Sequence, residues 1–139
     1  MALATVTHTY DAPKDKVWKV FADIGNVQEI SPNIESSKRE NQKKGKGARR
    51  SCEFGKGAGI TEEVTLWKEG ETLAFTGVEF RKAPMKHMVA TFQFAEVDGK
   101  TTVACAMDFS MKFPPMNLLA KGQMKKNIKQ MLEGAETKL

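Results

Sequence analysis

The chain has 139 residues, of which 40% are hydrophobic and 28% charged, and its net charge is +5. This length suits one domain over residues 1–139, and the composition excludes a disordered protein. No apolar run approaches the ~20 residues of a membrane span, and the first residues lack the features of a secretion signal, so we expect a cytoplasmic protein without integral membrane association.

The N-terminal part of the chain predicts a strand followed by two helices. Residues 5–10 alternate between apolar and polar side chains, as a half-buried strand does. Asp11 can cap a helix that has Pro13 in its first turn and runs to about Ile24. One more short helical turn is predicted at residues 27–30, before a Ser-Pro-Asn break.

From residue 34 onward the side chains alternate with a period of two, and turn residues divide the chain into six further strands. We predict these strands at residues 34–42, 47–55, 59–69, 72–80, 87–97 and 100–112. Asp98 and Gly99 form a favoured hairpin turn between the last two strands. On the strand at 72–80 the inward face stays open: it is either that of Leu73 and Phe75 or that of Ala74, Val78 and Phe80.

Residues 114–139 predict one long amphipathic helix. Pro114 and Pro115 suit its first turn, where missing backbone donors are tolerated. Its apolar stripe consists of Met116, Ala120, Met124, Ile128, Met131, Leu132 and Ala135. At ~1.5 Å per residue the helix would cross the whole domain. The methionines in the stripe fit a filled core and also an adaptable ligand-binding surface.

Three stretches of the sequence resemble a known superfamily. Residues 10–18 (YDAPKDKVW) are similar to the opening of START-like (SRPBCC) proteins, residues 23–34 to their helix exit and short second helix, and residues 92–103 to a late hairpin. This group contains birch-pollen-allergen-type proteins, polyketide cyclases/dehydrases and lipid-transfer domains. The resemblance and the order of elements imply an α+β helix-grip fold, in which a curved seven-stranded antiparallel sheet surrounds a long C-terminal helix and two short helices separate strands one and two.

A sheet that curls around the helix without collapsing onto it would leave an apolar cavity. We therefore expect the protein to bind a hydrophobic or aromatic small molecule, such as a lipid or a polyketide-like compound, between sheet and helix. The expected ligand-binding residues are Phe54, Val64, Leu66, Phe75, Met88, Ala90, Phe92, Cys105, Met107, Phe109, Met116, Ala120, Gln123, Met124, Asn127 and Ile128.

An aromatic cyclase or dehydratase is the alternative function. Glu62 shares a strand face with apolar residues, where desolvation would favour its protonated form unless Arg50 or another donor pairs with it. His8 could shuttle a proton if it borders the cavity. The structural interpretations are that Glu62 reaches water at the sheet rim and that His8 is a satisfied structural histidine.

The basic stretch at residues 38–50 supports a second alternative. It contains seven Lys and Arg residues against one glutamate, so it could dock on an acidic protein, a membrane surface or a nucleic acid, although a solvated hairpin tip is the commoner explanation. Without aromatic residues for base stacking, we expect no specific nucleic-acid binding.

No cofactor or metal is expected from the sequence. His8, His87, Cys52 and Cys105 do not converge in the predicted layout, and we expect both cysteines to be buried and reduced. Phosphate-loop and dinucleotide-binding motifs are missing from the sequence. An exposed edge strand would allow a homodimer as well as a monomer.

Overall fold

The computed structural model describes residues 2–139. Its strands are β1 (Ala2–Tyr10), β2 (Ser36–Arg39), β3 (Arg49–Gly55), β4 (Ala58–Lys68), β5 (Thr72–Arg81), β6 (Met85–Val97) and β7 (Lys100–Met111). They form one antiparallel sheet in the spatial order β1, β7, β6, β5, β4, β3, β2. Together with the long C-terminal helix, this architecture confirms the predicted α+β helix-grip fold.

The first and last helices are shorter than the sequence predicted, whereas the short second one is longer. Helix α1 spans Lys14–Ala22 and is followed by a 3-10 helix at Ile24–Glu29. The C-terminal helix α2 spans Asn117–Ala135 and has 3-10 turns at both ends. A 3-10 turn at Pro114–Met116 precedes it, with the two prolines at positions where no backbone donor is needed. Within residues 2–139, no helix is long and apolar enough to cross a membrane.

Helix α1 begins without the local cap that the sequence suggested. Asp11 makes no capping hydrogen bond, and the residue before the helix is Pro13. The backbone N–H of Lys14 instead donates to Glu96 Oε1 on β6, at 2.6 Å. A carboxylate distant in sequence therefore satisfies this free donor, and local sequence patterns do not contain that information.

Register shifts between β4 and β5 change which side chains face inward. One shift lies between Val64 and Leu66, so the alternation slips by one residue and Leu66 lies opposite Ala74 on the outer face. Leu66 is exposed, in contrast to the fully buried Val64. The expectation that Leu66 lines a ligand site is wrong for this reason.

The second register shift, between Thr61 and Glu62, settles the open choice on β5. Both alternatives hold in part, because the inward face changes along the strand. Leu73 and Phe75 are buried at its start, Val78 is exposed, and Phe80 lies opposite Ile60 near its end.

The core lies between the inner face of the sheet, α1 and the C-terminal half of α2. An aromatic cluster under α1 includes Trp18, Phe21, Phe92 and Phe94. On α2, the buried residues are Ile128, Leu132 and Ala135. The first half of α2 has no fully buried residue, and only Ala120 and Met124 of this half pack, partly buried, against the core.

Candidate functional site

A cavity of about 350 Å³ lies between the inner face of the sheet and the middle of α2. Strands β3 to β7, the two loops at residues 31–34 and 82–84, and α2 all contribute to its wall. Four lining residues are exposed and mark the mouth: Asn33, Phe54, Lys82 and Pro84. The cavity is therefore open to the outside at one end.

Methionine dominates the cavity wall. Six of the chain's eight methionines line it: Met85, Met88, Met107, Met111, Met124 and Met131. The thioether side chain is unbranched and polarizable, so it adapts to irregular apolar shapes. Such a wall can fit a range of apolar molecules.

Arg50 and Glu62 form a buried ion pair in the cavity wall. They are neighbours across β3 and β4, and Arg50 Nε donates to Glu62 Oε1 at 2.8 Å. Arg50 Nη1 also donates to the carbonyl of Ile24 at 3.2 Å, and the guanidinium carbon lies 3.8 Å from the centre of the Phe75 ring. These contacts compensate the desolvation of the arginine and hold the carboxylate in place.

Cys52 also lines the cavity, beside Glu62. Its Sγ lies 3.9 Å from Glu62 Oε1. Burial, and secondarily the negative charge of Glu62, raise the pKa of the Cys52 thiol to about 12. A thiol with this pKa is protonated at neutral pH, which disfavours Cys52 as a nucleophile.

Another polar group of the cavity wall lies on α2. Asn127 on α2 accepts a hydrogen bond from Gln123 through its Oδ1, at 2.8 Å. This contact fixes the amide of Asn127 where it lines the cavity, whereas Gln123 itself is exposed. Polar groups thus enter the cavity wall from both the sheet and α2, and most of the other lining side chains are apolar.

Comparison with known families identifies the chain. The family described as "Polyketide cyclase / dehydrase and lipid transport" matches residues 1–139. The chain belongs to this family. Comparison with curated proteins gives no match.

Several solved structures share the fold of this chain. TTHA0849 from Thermus thermophilus is 17% identical with a TM-score of 0.84, covering 99% of this chain and 96% of that chain. A START superfamily protein from Mycobacterium smegmatis is 10% identical with a TM-score of 0.84, covering 97% and 94%. Ara h 8.0201 is 14% identical with a TM-score of 0.75, covering 98% and 97%. At these identities the similarity shows the fold alone, and family and fold together indicate a hydrophobic ligand-binding domain.

The structure brings together about half of the residues that the sequence singled out. Those that line the cavity are Arg50, Phe54, Glu62, Met88, Ala90, Phe92, Met107, Met124, Asn127 and Ile128. Their role in binding stays a prediction. His8 is not among them: its ring bonds to Glu136 at the C-terminal end of the chain, so the condition for a proton shuttle at the cavity is not met.

The other predicted ligand-binding residues lie elsewhere. Val64, Phe75, Cys105 and Phe109 are fully buried among other core side chains, away from the cavity surface. Met116, Ala120 and Gln123 precede the stretch of α2 that reaches the cavity, and Met116 and Gln123 are exposed. Periodicity placed most of these side chains on the correct face, but it does not tell a cavity wall from a filled core.

Sequence reasoning also missed part of the wall. Cys52, Ile60 and Met111 share alternating strand faces with the predicted site residues Arg50, Glu62 and Met107, and Met131 belongs to the predicted stripe of the C-terminal helix, so these four could have been included. The loop residues that complete the wall are Ser31, Asn33, Ile34, Lys82, Ala83 and Pro84. No periodic pattern identifies them, because the path of a loop depends on the elements that it joins.

The basic stretch at residues 38–50 is exposed at all of its Lys and Arg residues except Arg50. Arg50 is in the cavity wall, Arg49 Nε donates to Glu63 Oε1 at 2.8 Å, and Arg39 donates to the carbonyl of Lys43. The strands are also shorter than predicted, so residues 40–48 form a loop instead of strand ends. Lys43, Lys44 and Lys46 remain exposed on this loop. Within residues 2–139, no three His, Cys, Asp or Glu residues cluster as metal ligands would.

Proposed function

We propose that the protein binds one hydrophobic or aromatic small molecule, such as a lipid or a polyketide-like compound, in the cavity between the sheet and α2. The observation that carries this proposal is a cavity of about 350 Å³ whose wall contains six of the eight methionines. This volume is within the range of ligand sites, ~300–1,000 Å³. The apolar wall would stabilise an apolar guest by removing its surface from water.

The polar groups favour a ligand with at least one hydrogen-bonding substituent. Arg50 and Glu62 provide a charged donor and acceptor in the buried wall, and Asn127 provides an amide on α2. A purely aliphatic guest would leave these groups desolvated without new partners. A carbonyl or hydroxyl group on the guest would restore the lost hydrogen bonds and fix its orientation.

A cavity-filling variant tests the proposal. Ala90 lines the cavity, so Ala90→Met places extra side-chain volume inside it. We expect 1-anilinonaphthalene-8-sulfonate to bind the unaltered protein saturably, and Ala90→Met to weaken binding about tenfold, or ~1.4 kcal/mol. Native mass spectrometry of the purified protein would show whether a cellular ligand is retained.

The matched control is Ala106→Met. Ala106 lies opposite Thr91 and Thr5 on the outer face of the sheet, so the same substitution there leaves the cavity unchanged. Equal probe affinity for Ala90→Met, Ala106→Met and the unaltered protein would show that binding does not use the cavity. A native mass identical to that of the chain alone, together with no probe binding, would end the proposal.

The cyclase or dehydratase alternative retains only part of its predicted machinery. Arg50 and Glu62 meet in the cavity wall, but His8 lies at the far end of α2 beside Glu136. Glu62→Gln keeps an acceptor for Arg50 and removes the group that transfers a proton. Unchanged conversion of a poly-β-keto substrate by this variant would exclude Glu62 as an acid or base.

A further inference from the structure

An exposed apolar segment precedes and begins α2. We call residues 112–126 the basic-apolar tip. Among the ten large hydrophobic residues that are exposed in the described chain, four lie within seven positions of this segment: Phe113, Met116, Leu118 and Leu119. Leu118 is 80% exposed and Leu119 71% exposed. Two adjacent leucines that are this exposed leave a large apolar area in contact with water, which is unfavourable. Such exposed apolar surface marks an interaction site.

The same segment carries only positive charge. From Phe109 to Leu132 the sequence has five lysines and no acidic residue. Lys125 and Lys126 follow Leu118 and Leu119 by seven residues, or two helical turns, so they lie on the same face of α2. None of the ion pairs among residues 2–139 involves a lysine of the tip, so its charge is not neutralised within the chain.

The basic-apolar tip adjoins the mouth of the cavity. The backbone N–H of Lys112 donates to the carbonyl of Pro84, at 2.7 Å, and Pro84 is one of the exposed residues at the mouth. Lys82, also at the mouth, adds another exposed positive charge. A surface that covers the tip would therefore lie next to the cavity entrance.

We propose that the basic-apolar tip docks peripherally on an anionic lipid bilayer, with Phe113, Leu118 and Leu119 inserted at the headgroup level. Apolar side chains beside lysines are the combination that binds such an interface, because insertion and attraction to anionic headgroups add. A nucleic acid would need aromatic residues for stacking, and the tip has one, Phe113. The proposal does not depend on which ligand occupies the cavity.

Vesicle co-sedimentation of the full chain tests the proposal. We expect the protein to pellet with vesicles of phosphatidylcholine containing roughly a quarter phosphatidylglycerol, and not with phosphatidylcholine alone. Raising the salt from about 0.1 M to 1 M should release most of it. Leu118→Gln/Leu119→Gln should weaken vesicle binding at least about tenfold, and Lys125→Gln/Lys126→Gln should do the same.

Two control variants match these changes elsewhere on the surface. Leu3→Gln/Val97→Gln removes two exposed apolar side chains outside the tip, and Lys43→Gln/Lys44→Gln removes two lysines of the β2–β3 loop. Both controls should pellet as the unaltered protein does. The proposal is overturned if the tip variants pellet as well as their controls, if neutral vesicles bind equally, or if anionic vesicles do not bind. The last result would leave an acidic protein as the partner to seek.

Discussion

The two halves of α2 differ in what they contact, although they belong to one continuous helix. In the C-terminal half, Ile128, Leu132 and Ala135 are buried, whereas residues 117–127 include no buried side chain. The first half leaves space over the sheet and extends an apolar, basic surface outward. One regular element therefore anchors the fold at one end and borders an open cavity at the other.

The C-terminal half is held by several contacts. The Tyr10 hydroxyl donates to the carbonyl of Leu132 at 2.5 Å, His8 bonds to Glu136, and Lys138 pairs with Glu29. The first half is held at its start, where Asn117 Oδ1 accepts a hydrogen bond from the Met111 N–H at 2.8 Å. This distribution of contacts predicts that substitutions in the two halves will affect different properties.

The largest difference in unfolding free energy between the two halves should appear when one buried and one cavity-lining side chain are truncated. Leu132 is fully buried, so Leu132→Ala should lower the free energy of unfolding by about 2–5 kcal/mol. Met124 is half-buried and faces the cavity, so Met124→Ala should cost about 1 kcal/mol or less. Urea unfolding measures both, and equal losses would contradict the distinction between the halves.

The two glycines of α2 offer a finer comparison. A Cβ on Gly134 would lie 2.2 Å from the carbonyl oxygen of Ile30, so Gly134→Ala should force the helix away from the backbone and cost about 1–3 kcal/mol. A Cβ on Gly122 would meet no atom within 4 Å, so Gly122→Ala should stabilise the protein by about 0.5–1 kcal/mol through helix propensity. Thermal unfolding that shifts in the same direction for both variants would contradict this prediction.

Removing the hydrogen bond from Tyr10 tests how the C-terminal half of α2 is held. Tyr10→Phe keeps the ring and removes the hydroxyl that donates to Leu132, so it should lower the free energy of unfolding by about 1 kcal/mol. Thr9→Val is the control, because it removes a hydroxyl that bonds to Thr102 on the exposed outer face, where water can replace the bond. Urea unfolding should show no measurable loss for the control, and a matching loss would show that burial of the Tyr10 bond is unimportant.

Much of this architecture could be predicted from the sequence. Period-two alternation and the Asp98-Gly99 turn predicted the β6–β7 hairpin, and the resemblance to START-like proteins implied the helix-grip fold. The face of the sheet on which Leu66 lies could not be predicted, because a register shift depends on how β4 and β5 pair. The cavity boundary was also beyond prediction, since Met107 in its wall and Phe109 in the core share one alternating face.

Two cysteines sharpen the comparison between the cavity and the filled core. Cys52 lines the cavity, whereas Cys105 is fully buried outside it. Burial is the main cause that raises the pKa of both thiols to about 12. The cavity wall around Cys52 is therefore as unfavourable to a thiolate as the core.

This similarity predicts a small, equal dependence of stability on pH from each thiol. A thiol with a raised pKa in the folded state contributes stability in full below about pH 9, its pKa in the unfolded chain, and loses it as pH rises toward 12, because the unfolded chain releases the proton first. By pH 9.5 each thiol should have lowered the free energy of unfolding by about 0.8 kcal/mol. Each of the variants Cys52→Ala and Cys105→Ala should therefore lose about 0.8 kcal/mol less stability than the unaltered protein between pH 7 and pH 9.5, as measured by urea unfolding. If Cys52→Ala leaves the pH dependence unchanged while Cys105→Ala reduces it, water hydrates the cavity wall and an apolar guest would gain less by entering.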